Sequence, residues 1–117
     1  MNNDKEVEMP AIGFFRADKD GYAGSIRTLS LNAKVRIVAN DQKQTASAPD
    51  FRVFAGTTEI GAAWRKTSTE DQSSYLRVRL DDPLFREPIR AALIEKTEDG
   101  VLPLLWRRDR NSDATST

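Results

Sequence analysis

The sequence predicts an all-β domain, a single small barrel or sandwich of about seven mostly antiparallel strands in meander order, with at most one short helix. Three observations carry this. The dominant spacing of apolar residues is two, the alternation of a strand with one wet face, and it is cleanest in Ser74-Tyr75-Leu76-Arg77-Val78-Arg79-Leu80. Asp20-Gly21 and Asp99-Gly100 stand between apolar runs, where Asp-Gly favours a hairpin turn. The chain has 117 residues, enough for one domain with one core.

The elements follow in chain order. Gly13-Phe14-Phe15-Arg16 and Tyr22-Ala23-Gly24-Ser25-Ile26-Arg27 flank the first hairpin signal. Ala33-Lys34-Val35-Arg36-Ile37-Val38 alternates polar and apolar. Residues 41–49 are polar and closed by Pro49, which reads as a surface loop. Phe51-Arg52-Val53-Phe54-Ala55 is a short strand, and Ala55-Gly56-Thr57-Thr58 is a turn into Glu59-Ile60-Gly61-Ala62-Ala63-Trp64-Arg65. Residues 87–95 are ambiguous. Pro88 suits a first helical position, whereas Ile89, Ala91 and Leu93 alternate like a strand, and strand is favoured. Val101 to Trp106 completes the order. The expected core is Val35, Ile37, Val53, Ile60, Trp64, Leu76, Val78, Leu80, Leu93, Leu104 and Trp106. The segmentation is a flexible extension at 1–10, one β domain at 11–108 and a flexible tail at 109–117, because the two ends have almost nothing apolar to bury.

Composition narrows the chemistry. There is no cysteine, hence no disulfide framework and no thiolate nucleophile or ligand. There is no histidine, so the commonest general base and zinc ligand is missing and no Ser-His-Asp triad can be built. Asp81-Asp82-Pro83 holds the obvious acidic pair, two adjacent carboxylates that suit magnesium; after a strand and before a proline, Asp more often opens a turn. Lys66 beside Thr67 and Ser68 is a nominal dyad with no sign of the burial it would need. The glycines are scattered rather than gathered into a phosphate loop, and Gly61 reads as a close backbone approach within a strand. No enzyme, metal or cofactor is expected. The apolar runs are short and the first residues are acidic and polar, so neither a spanning helix nor a signal peptide is read, and a cytoplasmic setting is expected.

The charge totals balance, 18 basic against 18 acidic, but the two signs are segregated. Residues 21–80 hold nine basic side chains against five acidic, and most of the basics fall on outward strand positions. Arg36, Arg52, Arg65, Arg77 and Arg79 would then share a wet sheet face with Tyr75 and Phe54. Arginines interleaved with aromatics on a sheet attract phosphates and stack bases. The competing reading is a solvated face, with arginines serving solubility and edge protection and acids such as Glu59 neutralising them. A neutral total also counts against a duplex-DNA binder.

Four phrases together resemble a known family. They are Asp20-Gly21-Tyr22-Ala23-Gly24-Ser25-Ile26-Arg27-Thr28-Leu29, Ala48 to Ser68, Tyr75-Leu76-Arg77-Val78-Arg79-Leu80-Asp81-Asp82-Pro83, and Leu105-Trp106. The family consists of small proteobacterial proteins classed only as a domain of unknown function, often carried on conjugative plasmids and integrative elements. The likeness covers roughly residues 11–107. Its opening Ile-Gly-x-Phe phrase is met here by Ile12-Gly13-Phe14-Phe15, with the aromatic doubled. The resemblance implies a cytoplasmic accessory protein of mobile DNA and supplies no catalytic residue. Two functions are left standing. One is a non-enzymatic module that contacts single-stranded DNA or RNA through Arg36, Arg52, Arg65, Tyr75, Arg77 and Arg79. The other is a self-assembling or adaptor protein that binds another protein of the same element, or a second copy of itself, and no nucleic acid. No membrane partner is expected.

Overall fold

The computed structural model describes residues 10–29, 31–69, 72–95 and 97–106. They form one closed antiparallel barrel whose eight strands pair in chain order and whose last strand returns to the first. The strands are β1 (Ala11–Asp18), β2 (Gly21–Arg27), β3 (Asn32–Ala39), β4 (Phe51–Ala55), β5 (Thr58–Thr67), β6 (Ser74–Leu80), β7 (Ile89–Ile94) and β8 (Leu102–Trp106). The expected meander is correct, and the ambiguous 87–95 segment contributes β7, a strand. Among the described residues there is no helix, and so none long and apolar enough to cross a membrane. The flexible extensions expected at 1–10 and 109–117 lie, Pro10 aside, outside the described residues.

An eight-stranded barrel has an interior just wide enough to be filled by its own side chains, and here the filling is apolar. Leu76, Val78 and Leu80 are at most 1% exposed, while Arg77 and Arg79 between them face solvent. Phe15, Ile26, Val35, Ile37, Val53, Leu93 and Leu104 complete the interior, and no polar or charged side chain among the described residues is fully buried.

The connections match the local chemistry. Asp18 pairs with Gly21 across a two-residue turn. Gly56 takes a φ of 64° at the first position of the β4–β5 turn, where hairpin twist calls for a positive φ. The β7–β8 connection is longer than the tight hairpin expected from Asp99-Gly100, although Asp99 does turn the chain by accepting from the Val101 N–H at 3.0 Å. Asp82 likewise accepts from the Leu84 N–H at 3.0 Å, so the Asp81-Asp82-Pro83 phrase is a turn. Pro103, which has no N–H to donate, stands opposite Phe14 of β1 where the β7–β8 ladder has already ended at Leu104.

Two expected core residues are placed differently, and β5 explains the first. Its register against β4 shifts between Val53 and Phe54, so that Gly61 opposes Val53 and Glu59 opposes Phe54, leaving Ile60 as the extra residue of a bulge. One extra residue reverses the facing of everything after it. Ala63 is therefore fully buried, and Trp64 is half-buried on the outer face rather than in the core. Trp106 is in step with the interior through Ala91, but at the last position of β8 it is only half-buried.

Candidate nucleic-acid interface

In a closed sheet, directly paired residues form rows that run across the strands, and each row has one facing. The outer rows gather the arginines. Arg16 of β1, Ala23 of β2, Arg36 of β3 and Phe54 of β4 form one row. Arg52, Ala62, Arg79 and Arg90 form the next, across β4 to β7. Trp64, Arg77 and Ala92 form a third, and Lys66, Tyr75 and Ile94 a fourth. Both arginine rows share a pattern: an alanine on the strand between two arginines leaves open space at the midpoint, with about 10 Å between the flanking backbones at ordinary strand spacing.

Two aromatics of this face, Phe54 and Trp64, are already engaged by guanidinium groups. Arg36 and Arg52 lie over the Phe54 ring at 5.8 and 5.2 Å, and Arg77 lies over Trp64 at 5.3 Å. Such stacks hold a cation against a ring quadrupole. The edge of Trp64 is fixed from the other side, where its Nε1–H donates to the Ser47 carbonyl at 3.1 Å. The 41–49 loop that supplies Ser47 is itself tied down, by Lys43 to Asp50 at 2.6 Å and by the Asn40 amide to the Pro49 carbonyl at 2.9 Å.

Arg52 of the second row is neutralised. Arg52 meets Glu59 in a two-pronged pair at 2.8 and 3.1 Å, which raises the arginine's proton affinity and holds the Glu59 carboxyl below the ordinary range. Arg36, Arg77 and Arg79 have no acidic partner among the described residues. The bulge also dents the wall beside Arg79. A shallow open groove of about 290 Å³ lies there, lined by Glu59, Ile60, Gly61, Ala62, Trp64, Arg79 and Asp81.

Arg65 is the correction within the expected site. It pairs with Leu76, on the inward side of the sheet, because it follows the bulge. Its guanidinium emerges at one end of the barrel, where it meets Glu95 at 2.8 and 3.1 Å and lies 5.5 Å over Phe51. Glu95 also accepts from the Ser74 hydroxyl at 3.0 Å and, in a very short contact, from the Tyr22 hydroxyl. Burial alone would raise the Glu95 carboxyl, but the bonds from Tyr22, Ser74 and Arg65 outweigh it and hold the carboxyl below its usual range. Burial first, and then Glu95, raise the Tyr22 hydroxyl. This cluster joins β2, β5 and β6 to the end of β7. All its charges and hydroxyls are mutually satisfied, which marks a clasp on the barrel mouth.

The model of a family described as a protein of unknown function, DUF736, matches residues 11–109. The chain belongs to the DUF736 family. No curated protein and no solved structure matches it. The DUF736 match spans all eight strands, and therefore every residue of the outer rows and of the clasp.

Of the six residues expected to form one site in this DUF736 chain, five share the outer face: Arg36, Arg52, Tyr75, Arg77 and Arg79. Sequence reasoning missed Arg16, Arg90 and Glu95. Arg16 and Arg90 both carried a usable signal, the polar step of an alternating run. Glu95 carried none, since its partners Tyr22, Arg65 and Ser74 are distant in sequence.

Proposed function

We propose that this protein is a non-enzymatic nucleic-acid-binding module that takes single-stranded DNA or RNA across the outer face of β3 to β7. The observation that carries the reading is the row Arg52–Ala62–Arg79–Arg90, flanked on neighbouring rows by Phe54 and Trp64, with Tyr75 one row beyond Trp64. A row of guanidinium groups follows a phosphate backbone, and half-exposed aromatics offer faces to unpaired bases. The Phe54 and Trp64 rings are pre-covered by arginines, so a base there displaces or shares a guanidinium that then turns to the phosphate beside it. A single strand suits the face because it presents bases and phosphates together. The strands also face apolar inward and arginine outward, the reverse of a lipid-facing barrel. The resemblance to proteins carried on conjugative plasmids and integrative elements supports a cytoplasmic role beside mobile DNA, where single strands are exposed during transfer. The test is titration of a labelled oligothymidylate at several salt concentrations, followed by fluorescence anisotropy. Binding whose logarithm falls linearly with the logarithm of salt supports the reading; no binding at low salt overturns it.

A second reading rests on the outer surface of β8 and its neighbours β1 and β7. Phe14 is 55% exposed and stands directly opposite Pro103, and Leu105 and Ala92 continue the apolar surface on the outer side of β8 and β7. This favours a protein contact there, with a second copy or another protein of the same element. Sedimentation velocity on the wild type and on Phe14→Ser tests self-association: a concentration-dependent dimer lost in the variant supports it, and a strict monomer counts against it.

A further inference from the structure

We infer that the groove opened by the β5 bulge is a seat for a single guanine base of the bound strand; the inference rests on the single-strand reading above. At about 290 Å³ and open to solvent, the groove stands at the lower end of ordinary ligand pockets, roughly 300–1,000 Å³, and has room for one flat group. Gly61 and Ala62, which carry almost no side chain, are among the residues that line it. Trp64 adds an aromatic side chain to the lining.

The polar groups of the lining have a definite order. Arg79 and Asp81 are two residues apart and both line the groove. Among the described residues neither has an ion-pair partner, in contrast to Glu59, which is held by Arg52. The groove therefore offers a free two-pronged donor beside a free two-pronged acceptor. Guanine is the base that carries the complement. Its O6 and N7 accept from an arginine fork, and the adjacent N1–H and exocyclic 2-amino group donate together to a carboxylate. Adenine has no such donor pair beside an acceptor pair. Cytosine and thymine present their acceptors and donors in other orders. The carboxylate also repels a phosphate, which keeps the backbone on the arginine rows and leaves the groove to the base. The bulge fixes the arrangement, because the Asp81 N–H donates to the Ile60 carbonyl at 2.7 Å and ties the end of β6 to the bulged residue.

The test compares oligothymidylates that carry one central guanine, adenine, cytosine or hypoxanthine, the last being guanine without its 2-amino group. Anisotropy titrations are made on the wild-type protein and on Asp81→Asn. The expected result is a gain of about tenfold for the guanine strand over plain oligothymidylate, the size of one good two-pronged contact. Most of that gain should be absent with hypoxanthine, and Asp81→Asn should abolish it without weakening plain oligothymidylate binding. Equal affinity for all strands, equal gains for guanine and adenine, or a guanine preference that survives Asp81→Asn each overturns the guanine seat and leaves the single-strand reading intact. Failure to bind any strand overturns the single-strand reading and the seat with it. The hypoxanthine comparison uses only wild-type protein, so it decides the matter even if Asp81→Asn folds poorly.

Discussion

Arg52 and Arg79 flank Ala62 in direct register, two strands apart on the outer face of the barrel. Two like charges with only a methyl group between them face a shared space that an anion can occupy. In the free protein one carboxylate is already near, since Glu59 holds Arg52. Glu59 thus competes with any incoming phosphate. Glu59→Gln should release Arg52, tighten single-strand binding severalfold and steepen the salt slope by roughly 0.7 units for one added phosphate contact. The pair is exposed, so stability should change by less than about 1 kcal/mol. Unchanged affinity in an anisotropy titration would show that Arg52 is not part of the interface.

Trp64 provides an optical report. Its ring lies under Arg77 on the outer face, while the second tryptophan, Trp106, sits at the end of β8. A strand that stacks here should quench the protein's fluorescence, and Trp64→Phe should remove most of the quenching while retaining much of the affinity. Quenching that persists in Trp64→Phe would place the contact elsewhere.

Most of the barrel was legible because alternation is local. Leu76, Val78 and Leu80 against Arg77 and Arg79 declare the facing of β6 within seven residues, and Ile89, Ala91 and Leu93 do the same for β7 despite Pro88 and a helix-friendly alanine pair. What sequence did not reveal was the phase of β5 after Ile60. A bulge is set by the opposing strand, so nothing in Glu59-Ile60-Gly61-Ala62 distinguishes a straight strand from a bulged one except Gly61. That single step turned Trp64 outward and Arg65 inward. It also explains why Arg65 belongs to the clasp with Glu95 and not to the arginine rows.

Gly61 tests that account of β5. A Cβ placed there would run into the Arg79 carbonyl oxygen and crowd the Leu80 side chain. Gly61→Ala should therefore cost about 1–3 kcal/mol through forced backbone shifts, read as a lowered urea midpoint. A neutral effect would mean that β5 and β6 are not so closely apposed.

The clasp gives a pH dependence of known sign. The folded-state value of the Glu95 carboxyl is lowered, so its contribution is fully present above the ordinary carboxylate value near 4.5 and is lost as pH falls through the lower folded value. Asp50 and Glu59 are shifted in the same direction by Lys43 and Arg52, but both are exposed and should add little. Melting temperature should decline below about pH 4.5, and Glu95→Gln should flatten that decline while lowering stability at neutral pH by about 1–2 kcal/mol. Identical acid limbs in the two proteins would show that Glu95 does not hold the barrel mouth.

The most direct measurement is single-strand affinity as a function of salt for wild type and for the double variant Arg77→Ser and Arg79→Ser. Both side chains are exposed on β6 and neither has an acidic partner among the described residues, so the fold should survive with an unchanged circular dichroism spectrum. For plain oligothymidylate, which leaves the Arg79 fork to phosphate, the account predicts at least a roughly tenfold loss of affinity at low salt and a salt slope flattened by about 1.4 units, 0.7 for each phosphate contact removed. An unchanged affinity and slope in a folded double variant would contradict it.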